Sequence, residues 1–310
     1  MVNIMLLVII MHRVGIPRGL FYYYDKDIWK YFLKYLNIKC VVSPNTNREI
    51  MNAGIKYSND EMCLAMKVYL GHVFYLKDKC DYILIPRIDN FYSNNQTCTN
   101  FLSVYDIVKN IFDVKVLNYN IDLENGDTLK KGLIKIGKEL GKTRIESIKA
   151  YKYAVRESKK IREKDIIKNE KKLNGRKTKI LIVSHPYNIY DSFVGKEIID
   201  YLEKNKIAII YSDKFDSKVT NNLSKELSSD LYFVYSKDNL GSIVYAMDKI
   251  DGIIFLSAFP CALDSISLEL AMRKVDKPYI TLVLDDNDSF TGIETRLESF
   301  IDVLRGNING

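Results

Sequence analysis

The chain has 310 residues, 47% of them hydrophobic and 27% charged, with a net charge of +7. That composition excludes a disordered or collagen-like chain and fits a globular protein of about two domains, at roughly 150 residues each. Five cysteines are odd in number and few for the length. They exclude a disulfide-stapled secreted scaffold and point to free thiols in a reducing, cytoplasmic compartment.

In chain order, the first feature is an apolar run from Ile4 to Met11. It is far short of the roughly 20 residues that span a bilayer. It also lacks the basic flank and small-residue cleavage site of a signal peptide. It reads as a buried strand extension, or as residues upstream of a true start at Met11. A helical segment over Ile28 to Leu36 follows, then short strand-like runs at Cys40–Val42 and Tyr82–Ile85.

From Thr128 to Arg176 the chain carries 17 Lys+Arg against 6 Asp+Glu, a local +11 that leaves −4 for the rest. Leu129, Leu133, Ile136 and Leu140 recur there at helical spacing, and no proline interrupts, so one or two long basic helices are predicted. Lys-rich helices of this kind are ordinarily solvated faces, the alternative being an acidic partner or a phosphate-bearing ligand. Nucleic acid is excluded as a partner because no aromatic-interleaved basic strand or nucleic-acid motif accompanies the charge.

Beyond that stretch, apolar runs at Lys179–Val183, Ile207–Tyr211, Gly252–Leu256 and Tyr279–Leu284 alternate with helical segments such as Leu263 to Lys274. All these runs read as fully buried parallel strands. The expected fold is α/β: two doubly wound parallel-sheet (Rossmann-like) domains, 1–125 and 177–310, joined by a basic helical linker over 126–176. The first domain holds Cys63 and Cys98, the second Cys261.

In open parallel sheets ligands bind at the carboxyl ends of the strands. Those ends carry Ser43-Pro44-Asn45-Thr46-Asn47, Pro86-Arg87, Ser184-His185-Pro186 and Ser257-Ala258-Phe259-Pro260-Cys261. Such polar, proline-containing turns suggest a cleft between the domains, or simply turn and cap residues.

The nucleotide signatures G-x-x-x-x-G-K-[ST] and G-x-G-x-x-G are missing, as are G-x-S-x-G and H-E-x-x-H. Three histidines (His12, His72, His185) make a histidine-rich metal site improbable. Cys40 and Cys80 adjoin strand runs and read as small buried hydrophobes. Cys63 falls in the helical segment Glu61-Met62-Cys63-Leu64, Cys98 in a polar stretch, and Cys261 where a strand hands over to a helix. A thiolate near a helix N-terminus is favoured by the macrodipole, which suits a metal ligand or a reactive thiol. Their separations of 35 and 163 residues, with no C-x-x-C, give no metal motif by themselves.

A broader likeness runs through the chain. It begins with Val14-Gly15-Ile16-Pro17-Arg18-Gly19-Leu20, Trp29 and Ser43–Asn47, and continues through Cys63-Leu64, Gly71-His72-Val73, Ile85-Pro86-Arg87 and Thr97-Cys98. It resumes at His185-Pro186-Tyr187-Asn188, Phe259-Pro260-Cys261 with Asp264-Ser265, and Thr295–Phe300. In this order the segments resemble proteins related to 2-hydroxyacyl-CoA dehydratases and their activases, a superfamily that includes benzoyl-CoA reductases and double-cubane cluster proteins.

The resemblance implies a [4Fe–4S] cluster held by three cysteines, which map onto Cys63, Cys98 and Cys261. It implies an electron-accepting component of a dehydratase- or reductase-like system, driven by an ATP-dependent activase. It further implies a homologous partner subunit, in a homo- or heterodimer, and an acyl-CoA or other small-molecule substrate. Thiolates are soft ligands suited to such clusters.

The sequence departs from the family pattern beside the cysteines, at Ala65, at Thr99-Asn100, at Ala262-Leu263 and at Asp285–Asp288. The alternatives are a metal-free two-domain binding or scaffold protein, and a structural zinc site of the three thiolates with His72 or His185. Catalysis is left unassigned. His185 could titrate or merely cap a turn. Arg18 and Arg87 could hold a carboxylate or phosphate, or tie loops together.

Overall fold

The structure is a computed structural model that describes residues 12–91, 95–286 and 290–308. The Ile4–Met11 run lies outside the described residues. The chain opens with β1 (Arg13–Ile16), α1 (Tyr22–Tyr35), β2 (Lys39–Val42), α2 (Arg48–Lys56) and α3 (Leu64–Leu76). These are followed by β3 (Tyr82–Leu84), β4 (Arg87–Asn90), α4 (Thr99–Ile111), β5 (Val116–Leu117) and β6 (Asn120–Asp122). Four strands form a parallel sheet in the order β2-β1-β3-β5, while β4 and β6 pair in a small second sheet.

The basic stretch forms α5 (Leu129–Glu139) and α6 (Arg144–Leu173). Both starts are capped: Thr128 accepts from the Lys131 N–H, and Thr143 and Glu146 form a reciprocal capping box. Leu133, Ile136 and Leu140 are buried as their spacing predicts. Ala150 and Ala154 of α6 enter the first core, and Leu173 at its far end enters a core of the second half. The helix therefore packs on both halves.

The second half comprises β7 (Lys179–Val183), α7 (Pro186–Tyr190), α8 (Lys196–Lys204), β8 (Ala208–Tyr211), α9 (Ser217–Leu223) and α10 (Val234–Ala246). It ends with β9 (Gly252–Ala258), α11 (Ala262–Met272), β10 (Tyr279–Leu284) and α12 (Phe290–Ile308). Its sheet is parallel, in the order β10-β9-β7-β8. Alternate residues of the central strands face opposite ways. Ile180, Ile182, Ile254 and Leu256 meet Ile198, Leu202, Leu297 and Phe300 on one face. Leu181, Val183, Ile253 and Phe255 meet Leu240, Ile243, Leu268 and Ala271 on the other. Helices on both faces of a parallel sheet are why β7 and β9 read as continuous apolar runs.

The expectation that every strand is fully buried fails at the edges. β2 is half-buried or exposed along its length, and β10 exposes Tyr279 and Val283, because each is the last strand of its sheet. No helix among the described residues is long and apolar enough to cross a membrane.

Candidate functional site

The carboxyl ends of the two sheets face each other. Thr46, after β2, donates from its hydroxyl to the Asp191 carboxylate, and Tyr23 OH donates to the same oxygen at 3.1 Å. Lys67 on α3 pairs with Asp286, beyond β10, at 2.7 Å in a buried contact. These contacts close the junction of the two halves, and of the strand-end turns only Ser184-His185-Pro186 lines a cavity there among the described residues, while Thr46 and Asn47 serve in packing and capping.

Each of the three singled-out cysteines occupies the N-cap of a helix: Cys63 on α3, Cys98 on α4 and Cys261 on α11. Cys63 stands just before α3 rather than inside it, because the Glu61-Met62 segment forms a turn. The three N-termini converge. The Leu64 N–H bonds to the Phe259 carbonyl at 2.8 Å, and Asn100 Nδ2 donates to Cys63 Sγ at 3.4 Å. First-turn amides point at the sulfurs: Asp264 N–H to Cys261 at 3.4 Å, Met66 and Ala65 to Cys63, Phe101 and Asn100 to Cys98.

Loss of hydration nevertheless raises all three thiols above the usual range, Cys98 to about 11. Asp264 raises each of them further, and Cys63 adds to the rise of both Cys98 and Cys261. The helix dipole, ~0.3–1 kcal/mol at a terminus, is outweighed, so these are not activated thiols at neutral pH. A positively charged centre would reverse the balance, since metal coordination deprotonates a thiol.

Asp264 sharpens this point. One of its oxygens lies 3.1 Å from His185 Nε2, while Oδ2 is buried without a hydrogen-bond partner. Three thiols and an orphaned carboxylate oxygen, edged with amide donors, make a donor set that suits an iron–sulfur group. Among the described residues, no three His, Cys, Asp or Glu side chains gather closely enough to hold a single metal ion.

His185 is the N-cap of α7 but makes no side-chain capping bond. Its ring lies instead between Asp264 and Tyr24, whose hydroxyl is 2.8 Å from Nδ1, and it stacks on Tyr187 with ring centres 4.8 Å apart. His185 and Tyr24 also line a cavity of about 680 Å³ with Asp25, Ser184, Tyr235 and Asp238. Burial pushes Asp25 up to about 7 and Asp238 up to about 6, the latter against a hydrogen bond from Thr220.

The remaining sequence candidates fall elsewhere. Arg18 ties two loops, donating to the Ser43 carbonyl at 3.0 Å and to Asn45 at 2.9 Å. Arg87 pairs with Asp106 at 2.5 Å and lies over the Tyr105 ring. His72 is buried with Nε2 2.9 Å from Thr46 Oγ1. Cys40 and Cys80 pack against the first core. Reading along the chain does not single out Tyr24, and marks Asn100 only as a departure from the family pattern beside Cys98. Asp264 is marked in the sequence by the family likeness at Asp264-Ser265 and by its place in the first turn after Cys261.

Residues 13–215, well over half of the chain, match the family model described as the CoA enzyme activase uncharacterised domain (DUF2229). The chain belongs to this family. Its description relates the chain to the activase system of acyl-CoA dehydratases. The matched residues include Cys63, Cys98 and His185, while Cys261 and Asp264 lie beyond them. No curated protein is a significant match. Among solved structures, a sugar transporter from Clostridium phytofermentans is 12% identical over 96% of this chain and 93% of that chain. Its TM-score of 0.21 carries no argument about fold or function.

Proposed function

We propose that the chain binds a [4Fe–4S] cluster through Cys63, Cys98 and Cys261. In this reading it is the electron-accepting component of a 2-hydroxyacyl-CoA dehydratase- or reductase-like system, working with an ATP-dependent activase and a homologous partner subunit. Units 1–125 and 177–310 would act as its two domains, with 126–176 between them. The observation that carries the reading is the meeting of three cysteine-capped helix N-termini from both halves of the chain. The family's tie to CoA enzyme activases supports it.

When bound, the cluster would supply an electron-transfer centre with one iron left open by the three-thiolate set. The chain's own residues do the rest. First-turn amides and Asn100 stabilise thiolate charge. His185, held between Tyr24 and Asp264, lines the cavity of about 680 Å³, the proposed seat of an acyl-CoA or other small substrate.

The test is anaerobic purification of the full chain with a visible spectrum and iron and zinc analysis. Broad absorption near 400 nm with about four irons per chain is expected. A colourless, iron-free protein, unchanged after anaerobic cluster reconstitution, overturns the assignment. Zinc in place of iron overturns it equally.

A further inference from the structure

A second cavity, of about 310 Å³, adjoins the first and shares Tyr23, Lys26, Asp165 and Lys214 with it. Four lysines line it, Lys26 from α1, Lys168 and Lys172 from α6, and Lys214 after β8, against the carboxylates Asp165 and Glu203. Lys214 is already engaged, 3.0 Å from Asp165 and 3.5 Å from Asp213. Lys26, Lys168 and Lys172 make no ion pair among the described residues. Two of them instead lie over aromatic rings, Lys26 over Tyr22 at 5.6 Å and Lys172 over Tyr211 at 5.3 Å.

The placement follows from the helix period. Asp165, Lys168, Asn169 and Lys172 recur at three- and four-residue spacing, so one stripe of α6 lines the cavity. Lys172 of this stripe is half-buried, as is Lys26 of α1, while Lys168 is exposed at the same cavity. Burial lowers both Lys26 and Lys172. Lys168 further lowers Lys172, and Lys214 acts the same way on Lys26 while Asp27 and Asp165 partly offset it. Crowded cations short of carboxylates, two of them half-buried, mark a place where an anion relieves repulsion.

We propose that this cavity binds a phosphoryl anion, a phosphate or diphosphate group, held by Lys26, Lys168 and Lys172. The concave shape and small volume select a compact anion over an acidic peptide. Three uncommitted ammonium groups match a multivalent anion better than a single carboxylate, and lysine is a mobile point charge suited to phosphate. The proposal stands independently of the cluster.

Calorimetric titration of the full chain with inorganic phosphate, pyrophosphate and ADP tests it. Saturable binding of one anion per chain is expected. Each of Lys26→Ala, Lys168→Ala and Lys172→Ala should weaken it about tenfold, the scale of one charge-assisted hydrogen bond. Pyrophosphate should raise the Tm of the wild type but not of the triple variant, a readout that also reports folding. ADP binding far tighter than pyrophosphate assigns the phosphate to a nucleotide-like ligand, and equal affinities assign it to the free anion. Lys152→Ala with Lys164→Ala, on α6 outside the cavity, should leave affinity within twofold. No saturable binding of any of the three anions, or an equal loss in that control, overturns the proposal.

Discussion

The backbone N–H of Leu64 donates to the carbonyl of Phe259 at 2.8 Å, joining the first residue of α3 to the turn that follows β9. One residue before Leu64 stands Cys63, and two residues after Phe259 stands Cys261. A single main-chain bond between the halves therefore holds two thiols that the chain separates by almost 200 residues. Asn100, reaching from α4 to Cys63 at 3.4 Å, brings in the helix that Cys98 caps.

This arrangement predicts a sharp division among the five cysteines. Cys63→Ser, Cys98→Ser and Cys261→Ser should each lose the iron and the absorption near 400 nm. Cys40→Ser and Cys80→Ser should keep both, since Cys40 lies within β2 and Cys80 donates from its thiol to the Leu76 carbonyl, neither standing at a helix N-cap. Iron analysis of the five anaerobically prepared variants checks it. Equal iron in all five would remove the three N-cap cysteines from the assignment.

Asp191 is the polar joint between the halves. It accepts from Thr46 and Tyr23 of the first half, and from the Phe193 and Val194 amides of its own loop at 2.9 and 3.1 Å. Asp191→Ala strands several buried donors at once and should cost about 3–4 kcal/mol. Tyr23→Phe removes one donor and should cost about 1 kcal/mol. Urea unfolding of both variants measures the difference, and a loss below 1 kcal/mol in Asp191→Ala would refute the joint.

His72 sets an acid limit. Burial lowers its folded-state pKa to about 3, against about 6.5 in the unfolded chain. Below pH 6.5 the unfolded state takes up a proton that the folded state refuses, so stability falls by about 1.4 kcal/mol per pH unit until pH approaches 3. Asp25 works in the opposite sense. Its folded-state pKa of about 7 means the native state takes up the proton first as pH drops from 7 toward 4. The clean observable is thus the difference between wild type and His72→Gln. It should shift by about 2 kcal/mol against the wild type between pH 7 and pH 5. A pH-independent difference would contradict the buried neutral imidazole.

Gly71 and Gly54 allow α2 and α3 to touch. A Cβ on Gly71 would overlap the Ile50 carbonyl, and one on Gly54 the Lys67 carbonyl. Gly71→Ala should therefore cost about 1–3 kcal/mol through overpacking. An open helical glycine behaves in reverse. Gly292 in α12 has nothing within 4 Å of an added Cβ, and Gly292→Ala should gain about 0.5–1 kcal/mol. Thermal melts of the pair distinguish the two environments.

The α/β class, the long core strands and the two basic helices are legible along the chain, because each is a local periodicity. Ile180 to Val183 and Gly252 to Leu256 are apolar at every position since both faces of their sheet are covered, and Leu133, Ile136 and Leu140 repeat at the helical period. Strands as short as Val116–Leu117 or Asn120–Asp122 hold too few residues for any period to register.

The polar strand-end turns announce a cleft, and the cysteines stand out by their neighbours. Their meeting is another matter. Cys63, Cys98 and Cys261 are each followed by a helix, but which helix starts adjoin depends on sheet order and on how the two halves face each other. The same holds for His185, drawn away from capping by Tyr24 and Asp264, and for Lys168 and Lys172, set beside Lys26 and Lys214 at one cavity by the packing of α6. Local pattern determined the elements because it depends on neighbours in the chain; the site was decided by contacts between residues far apart in it, which only the packed structure brings together.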